Sequence, residues 1–149
     1  MKPRLDYYKA APQTIDAVSA LAESLKESFP DKKLKALVEL RVSQINGCAY
    51  CVDLHSTQAR ALGETAQRLD CLVVWREVPF FTDRERAAFA WAEAITLLAD
   101  THAPDAVFAE AAAVFAPAEL VLLTAVVGTM NLWNRISVGF RGLPPARSA

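Results

Sequence analysis

The apolar residues of this chain recur at the spacing of an α-helix along most of its length. In residues 13–28, Ile15, Val18 and Leu25 fall on one helical face, and the pattern stops before Phe29, which precedes a proline. No segment shows the strict alternation of apolar and polar residues that is typical of a half-buried strand. The sequence therefore predicts an all-α fold, a bundle of six or seven helices.

Helix-breaking and capping residues divide the chain into these helices. Glycine and proline are expected at helix ends and first turns, and a threonine followed three residues later by glutamate forms a capping box. The residues that mark such boundaries are Asn46, Gly47, Gly63, Thr82, Glu85, Pro104 and Pro117. We find no linker or repeat, so residues 1–149 are interpreted as a single domain whose last residues, 143–149, fray.

Charge and hydropathy exclude several classes of protein. With 16 Lys and Arg against 17 Asp and Glu, the formal net charge is -1, which gives no bulk attraction to nucleic acid or to an anionic membrane. The N-terminal residues lack the apolar core of a secretory signal, and the longest apolar stretch, 120–130, is too short to span a bilayer. We therefore expect a soluble cytoplasmic protein with no nucleic-acid or membrane partner.

The sequence motif with the clearest chemistry is formed by Cys48, Cys51 and His55. Residues at these spacings share one face of a helix, and the break at Asn46 and Gly47 puts the first cysteine near a helix N-terminus. The helix dipole and free N–H groups there stabilise a thiolate. The two sulfurs can also close a disulfide across one turn, and the imidazole can exchange a proton with the nearer thiol. A redox-active dithiol is the favoured interpretation.

Two other interpretations of the motif remain open. The cysteines could be small core residues, although this would leave the adjoining histidine unexplained. They could also bind zinc with His55, but a tetrahedral site would lack one ligand, and neither Cys71 nor His102 has a nearby paired ligand. Cys71 itself is expected to be a buried core thiol, and His102 a loop or cap residue.

Residues 37–64, LVELRVSQINGCAYCVDLHSTQARALGE, resemble the core of the alkylhydroperoxidase D-like family, within the wider carboxymuconolactone decarboxylase superfamily. The pattern N-G-C-x-Y-C-x-x-x-H followed by A-R-x-x-G is specific. Weaker similarity covers most of the remaining chain, through Trp75-Arg76-Glu77, Glu85-Arg86-Ala87-Ala88, Trp91-Ala92-Glu93-Ala94 and Trp133-Asn134-Arg135.

The resemblance implies an all-helical homo-oligomer (a dimer, trimer or hexamer) with peroxidase chemistry that needs no cofactor or metal. Members of the family reduce hydroperoxides through a Cys-x-x-Cys pair and are re-reduced by dithiol donors. The decarboxylase branch lacks this pair, which disfavours that activity here.

One position departs from the family pattern. The best-studied branch has a catalytic glutamate twelve residues before the first cysteine, where this chain has Ala36. Glu39 lies nine residues before Cys48, and the step from 36 to 39 keeps it near the same side of the helix. Glu39 is therefore either a replacement for the missing acid or a solvated or Arg-paired surface residue.

Two hypotheses follow. In the first, the protein is a thiol peroxidase with Cys48, Cys51, His55 and Glu39 as its catalytic residues. The helix dipole favours Cys48 as the attacking thiol, whereas His55 and the resemblance favour Cys51; we predict that Cys51 attacks and Cys48 resolves. In the second, a non-catalytic helical oligomer uses the dithiol to sense redox state.

Overall fold

The computed structural model describes residues 1–146, and all regular structure in that range is helical. The α-helices are α1 (Tyr7–Ala10), α2 (Pro12–Ser28), α3 (Lys32–Ile45), α4 (Ala49–Ala61), α5 (Ala66–Cys71), α6 (Asp83–Thr96), α7 (Leu98–Thr101), α8 (Asp105–Val114) and α9 (Pro117–Phe140). A 3-10 segment, Leu72–Glu77, follows α5. The all-α prediction is confirmed.

The described range contains more α-helices than the six or seven predicted. Two of the additional helices, α1 and α7, have four residues each, which is too short to show an apolar period. The predicted helix over 64–76 is also divided, because Val74 has non-helical backbone angles (φ -120°, ψ 32°) within the 3-10 segment.

The predicted boundaries of the longer helices agree with the structure. Thr82 and Glu85 form the reciprocal capping box at the start of α6. Gly63 has φ +85°, a left-handed conformation that favours glycine, and its N–H donates to the carbonyl of Arg60 at the end of α4. Of the residues predicted to fray, 143–146 follow α9 without helical structure, and 147–149 lie outside the described residues.

Helix α3 lies at the centre of the bundle, packed against α4, α6 and α9. Its side chains Leu34, Leu37, Val38 and Val42 are almost fully buried. The helix that precedes the cysteine motif is therefore fixed by packing against several neighbours. In the part of the chain that the structure describes, every helix is too short or too polar to traverse a lipid bilayer.

The N-terminal residues close one end of the bundle. The backbone N–H of Arg4 donates to the carbonyl of Phe140 at 2.9 Å, and the Arg4 guanidinium donates to the carbonyl of Gly139 at 3.0 Å. The rings of Tyr7 and Phe140 also lie in contact, with centroids 6.1 Å apart. These contacts hold α1 beside the C-terminal end of α9.

Candidate active site

A tight turn between α3 and α4 sets the position of the first cysteine. Gly47 has φ +64°, so this position favours glycine. The side-chain amide of Asn46 donates to the side-chain oxygens of Asn131 (3.0 Å) and Asn134 (2.8 Å) on α9, and Asn134 is almost fully buried. This hydrogen-bonded network anchors the turn to the bundle.

Cys48 is the N-cap residue of α4, as its place after the helix break predicted. Its backbone is extended (φ -84°, ψ 97°), and its sulfur accepts a hydrogen bond from the N–H of Cys51 at 3.3 Å. Cys48 and Cys51 form a disulfide, with their Cα atoms 5.3 Å apart. The sulfurs of the motif are therefore joined across the first turn of the helix.

The two cysteines differ in their access to a cavity of about 240 Å³ beside α4. Both are buried, with Cys51 3% and Cys48 1% exposed, but Cys51 lines this cavity whereas Cys48 is absent from its wall as far as the described residues show. The remaining wall is largely aromatic and aliphatic: Tyr7, Tyr8, Ala22, Leu25, Tyr50, Leu54, Val126, Met130 and Trp133. A molecule in the cavity would meet Cys51 first.

His55 lines the same cavity, one helical turn after Cys51. Its Nδ1 lies 3.0 Å from Gln58 Oε1 and 3.5 Å from Glu39 Oε2. Both neighbouring oxygens are acceptors, which favours the tautomer with its proton on Nδ1 and with Nε2 as the basic nitrogen of the neutral ring. Burial lowers the pKa of His55 from its ordinary value; Glu39 opposes this effect and Lys35 adds to it.

Glu39 is a part of the cavity wall and not a solvated surface residue. Its side chain is 15% exposed, and it contacts the ammonium group of Lys35 at 2.5 Å as well as the His55 ring. Ala36, at the position where the resembling branch has its acid, is buried and carries no polar group. Of the two interpretations that the sequence left open, the geometry favours the one that puts this carboxylate beside the histidine.

The structure thus brings Cys51, His55 and Glu39 together at one cavity, with Cys48 bonded behind them. Sequence analysis missed Lys35 and Gln58, which line the cavity too. Their spacing was a usable signal, since Lys35 is four residues before Glu39 and Gln58 three residues after His55, the distances at which helical side chains meet.

Cys71 and His102, which the sequence analysis also considered, are not among the described residues that line the cavity. Cys71 is a free thiol at the end of α5 and is partly exposed, so the expectation of a buried core residue is wrong. His102 has a left-handed conformation (φ 52°) at the end of α7, which agrees with its interpretation as a cap residue.

Mild oxidation of the reduced protein should link Cys48 to Cys51 and leave Cys71 as a free thiol. The first two sulfurs lie on one helical turn, whereas Cys71 is at the end of a different helix. Peptide mapping by mass spectrometry identifies the link. A dominant disulfide through Cys71 would contradict the prediction.

Comparisons with known proteins agree with this architecture. The model of the carboxymuconolactone decarboxylase family matches residues 12–94. The uncharacterized protein YdfG of Bacillus subtilis is 36% identical over 138 residues, which cover 93% of this chain and 94% of YdfG.

Two crystal structures share the fold. One, from Agrobacterium tumefaciens, is described as a protein of unknown function and a candidate antioxidant defence protein AhpD. It has a TM-score of 0.96 and 42% identity, with 98% of this chain and 100% of that chain covered. The other, an alkylhydroperoxidase AhpD core from Ralstonia eutropha, has a TM-score of 0.82 and 20% identity, with 93% and 74% covered; at that identity it supports the fold alone.

Proposed function

The chain belongs to the carboxymuconolactone decarboxylase family, and we propose that it is a thiol peroxidase that reduces hydroperoxides through the Cys48–Cys51 pair. The observation that carries this proposal is the shared cavity. A sulfur of a disulfide-forming pair, a histidine and a carboxylate all line the same cavity. These are the groups that a peroxide reduction requires: a nucleophile, a base and a group that orients the base.

The first step is the attack of Cys51 on the peroxide. In the reduced protein, Nε2 of His55 accepts the thiol proton. The thiolate sulfur then forms a bond to the terminal peroxide oxygen, the O–O bond breaks, and the leaving alkoxide takes the proton back from the imidazolium to become an alcohol. Cys51 is oxidised to a sulfenic acid, and the hydroperoxide is reduced by two electrons.

The second step returns the pair to the disulfide seen in the structure. The Cys48 sulfur attacks the sulfenic sulfur of Cys51, the S–S bond forms, the S–O bond breaks, and the hydroxyl group leaves as water with the proton of the Cys48 thiol. A dithiol donor, either a protein or a small molecule, then reduces the disulfide by exchange through Cys51. The sum of the steps converts one hydroperoxide and one dithiol into one alcohol, one water and one disulfide.

The cavity supports organic hydroperoxides as substrates. Its largely aromatic and aliphatic wall favours an apolar substituent, and Lys35, Glu39, His55 and Gln58 on α3 and α4 form one polar cluster in that wall. We expect the protein to act in the cytoplasm, where dithiol donors are kept reduced. No cofactor or metal takes part in the steps proposed here.

Two other functions are less well supported. A carboxymuconolactone decarboxylase-like activity would leave the disulfide-forming pair without a purpose. A redox sensor would use the pair without catalytic turnover, but it would not need a histidine and a carboxylate in the wall of a substrate-sized cavity.

The proposal is tested by turnover with a panel of dithiol donors. Reduced protein is mixed with an organic hydroperoxide, and alcohol formation is followed with and without each donor. We expect each protein molecule to form many molecules of alcohol with a suitable donor and one molecule of alcohol without it. Thiol loss that is slow and never recycled would support the sensor and refute the enzyme.

We also propose that the protein assembles with copies of itself. Val121 on α9 is 69% exposed, and Phe108 on α8 is half exposed beside an apolar groove between these helices. Light scattering should show a dimer or larger species at micromolar concentration, and a well-behaved monomer would refute this. Val121→Asp should weaken the assembly, whereas Val73→Asp, at a position that is 54% exposed and lies outside the groove, is the control.

A further inference from the structure

Lys35 lines the cavity but takes no part in the proposed chemical steps. The residue is only 7% exposed, although lysine is among the residue types that are almost never buried without a partner. Its ammonium nitrogen lies 2.5 Å from Glu39 Oε1, and both residues line the cavity that holds Cys51 and His55. A buried cation beside the candidate base affects the charge of that base.

Lys35 and His55 face different oxygens of the same carboxylate. Glu39 Oε1 accepts from the Lys35 ammonium group, and Glu39 Oε2 faces Nδ1 of His55 at 3.5 Å. A buried carboxylate attracts one balancing positive charge. With Lys35 in place that charge is already supplied, so the ring need not be protonated. Without Lys35, an imidazolium would be the nearest cation available to balance Glu39.

The other ionisable groups around the cavity do not replace this charge. Glu23 and Lys26 on α2 pair with each other at 2.7 Å and are exposed to solvent. The residues that α9 contributes to the cavity wall carry no ionisable group. The ionisable groups that α1 and α4 contribute besides His55 are Tyr7, Tyr8, Tyr50 and Cys51. Cys51 is bonded to Cys48 in the structure and does not ionise there, so Lys35 and Glu39 are the charges nearest His55 in the cavity wall.

We propose that Lys35 is a positioning residue whose positive charge occupies Glu39 and thereby keeps His55 neutral at physiological pH, ready to accept a proton at Nε2. The base role of His55 rests on the proposed peroxidase function, whereas the effect of Lys35 on the charge of His55 does not. If Lys35 only stabilised α3 through a pair with Glu39 four residues later, its replacement would change stability and leave the titration of the ring unchanged.

The test is an NMR titration of the His55 ring in the full chain. His102 is replaced with asparagine, which tolerates its left-handed backbone, so that one imidazole remains. The titration is compared among the parent, Lys35→Met, Lys35→Gln and Lys35→Arg, each checked for helical content. Methionine removes the charge and the donor, glutamine removes only the charge, and arginine keeps both.

We expect Lys35→Met and Lys35→Gln to raise the pKa of His55 by about one unit or more, because the loss of a nearby positive charge favours the protonated ring. Lys35→Arg should keep the parent value. Either uncharged variant suffices if the other does not fold. An unchanged titration in a folded uncharged variant, or an equal rise in Lys35→Arg, would overturn the proposal.

A second measurement separates this inference from the peroxidase proposal. The pH dependence of Cys51 oxidation by a hydroperoxide should move to higher pH in Lys35→Met by the same amount as the titration of His55. A protein that shows the NMR shift but no hydroperoxide reduction would retain the Lys35 assignment and lose the proposed function. Fast hydroperoxide reduction with an unchanged titration of His55 would retain the proposed function and overturn the Lys35 assignment.

Discussion

We expect Cys51→Ser to leave hydroperoxides unreduced at any concentration of a dithiol donor. Cys51 is the cysteine of the pair that lines the cavity with His55, and serine has no comparable nucleophilicity toward an O–O bond. The rate of alcohol formation should fall to background, a loss of at least about 10³-fold, which is the scale for removing a covalent nucleophile. The rate is measured by following the alcohol product directly.

Two further cysteine variants make this result specific. In the absence of a donor, Cys48→Ser should reduce one equivalent of hydroperoxide and hold Cys51 as a sulfenic acid, because the second thiol of the pair is missing. A sulfenic-acid probe followed by mass spectrometry locates it. Cys71→Ser is the matched control and should cycle at the parent rate. A Cys51→Ser protein that cycles while Cys48→Ser does not react would assign the attack to Cys48.

His55→Gln should slow the reaction of the reduced protein with hydroperoxide by about 10²–10⁴-fold, the usual contribution of a positioned acid or base. Glutamine keeps a polar group of similar size beside Glu39 and Gln58 but cannot accept and return the proton. The rate constant is obtained from thiol loss in single-turnover experiments. Helical content and thermal midpoint show whether the fold has been preserved. An inactive protein that has also unfolded would instead assign a structural role to His55.

Glu39→Gln tests the carboxylate separately. Since Glu39 Oε2 faces Nδ1 of His55, its loss should slow the thiol step less than His55→Gln does and should shift the pH dependence of that step. Glu23→Gln, at an exposed pair near the mouth of the cavity, is the matched control. If the rate and pH profile of Glu39→Gln equalled those of Glu23→Gln, Glu39 would have no part in the mechanism.

The long helices and the start of α4 were predictable because their signals are local. An apolar stripe, a break at Asn46 and Gly47, and a capping box at Thr82 each depend on residues only a few positions apart. Helices α1 and α7 were not predictable in this way, since four residues cannot show a helical period.

The part of the candidate site that lies on one helix was predictable for the same reason, but the contacts between helices were not. The sequence grouped Cys48, Cys51 and His55 on one helical face because they share one helix. Whether Glu39 faced solvent or the histidine depended on how α3 packs against α4, and periodicity alone does not give that rotation. The network of Asn46, Asn131 and Asn134 joins residues more than 80 positions apart, so no local pattern could reveal it.

The stoichiometry of a single turnover tests the central claim most directly. Reduced protein is mixed with a limiting amount of an organic hydroperoxide in the absence of donor, and the alcohol, the remaining thiols and the disulfide are all quantified. We expect two thiols to be lost for each alcohol formed, with Cys48 and Cys51 linked and Cys71 unchanged. Hydroperoxide that stays intact, or is reduced no faster than by a free thiol in solution, would contradict the proposed peroxidase function.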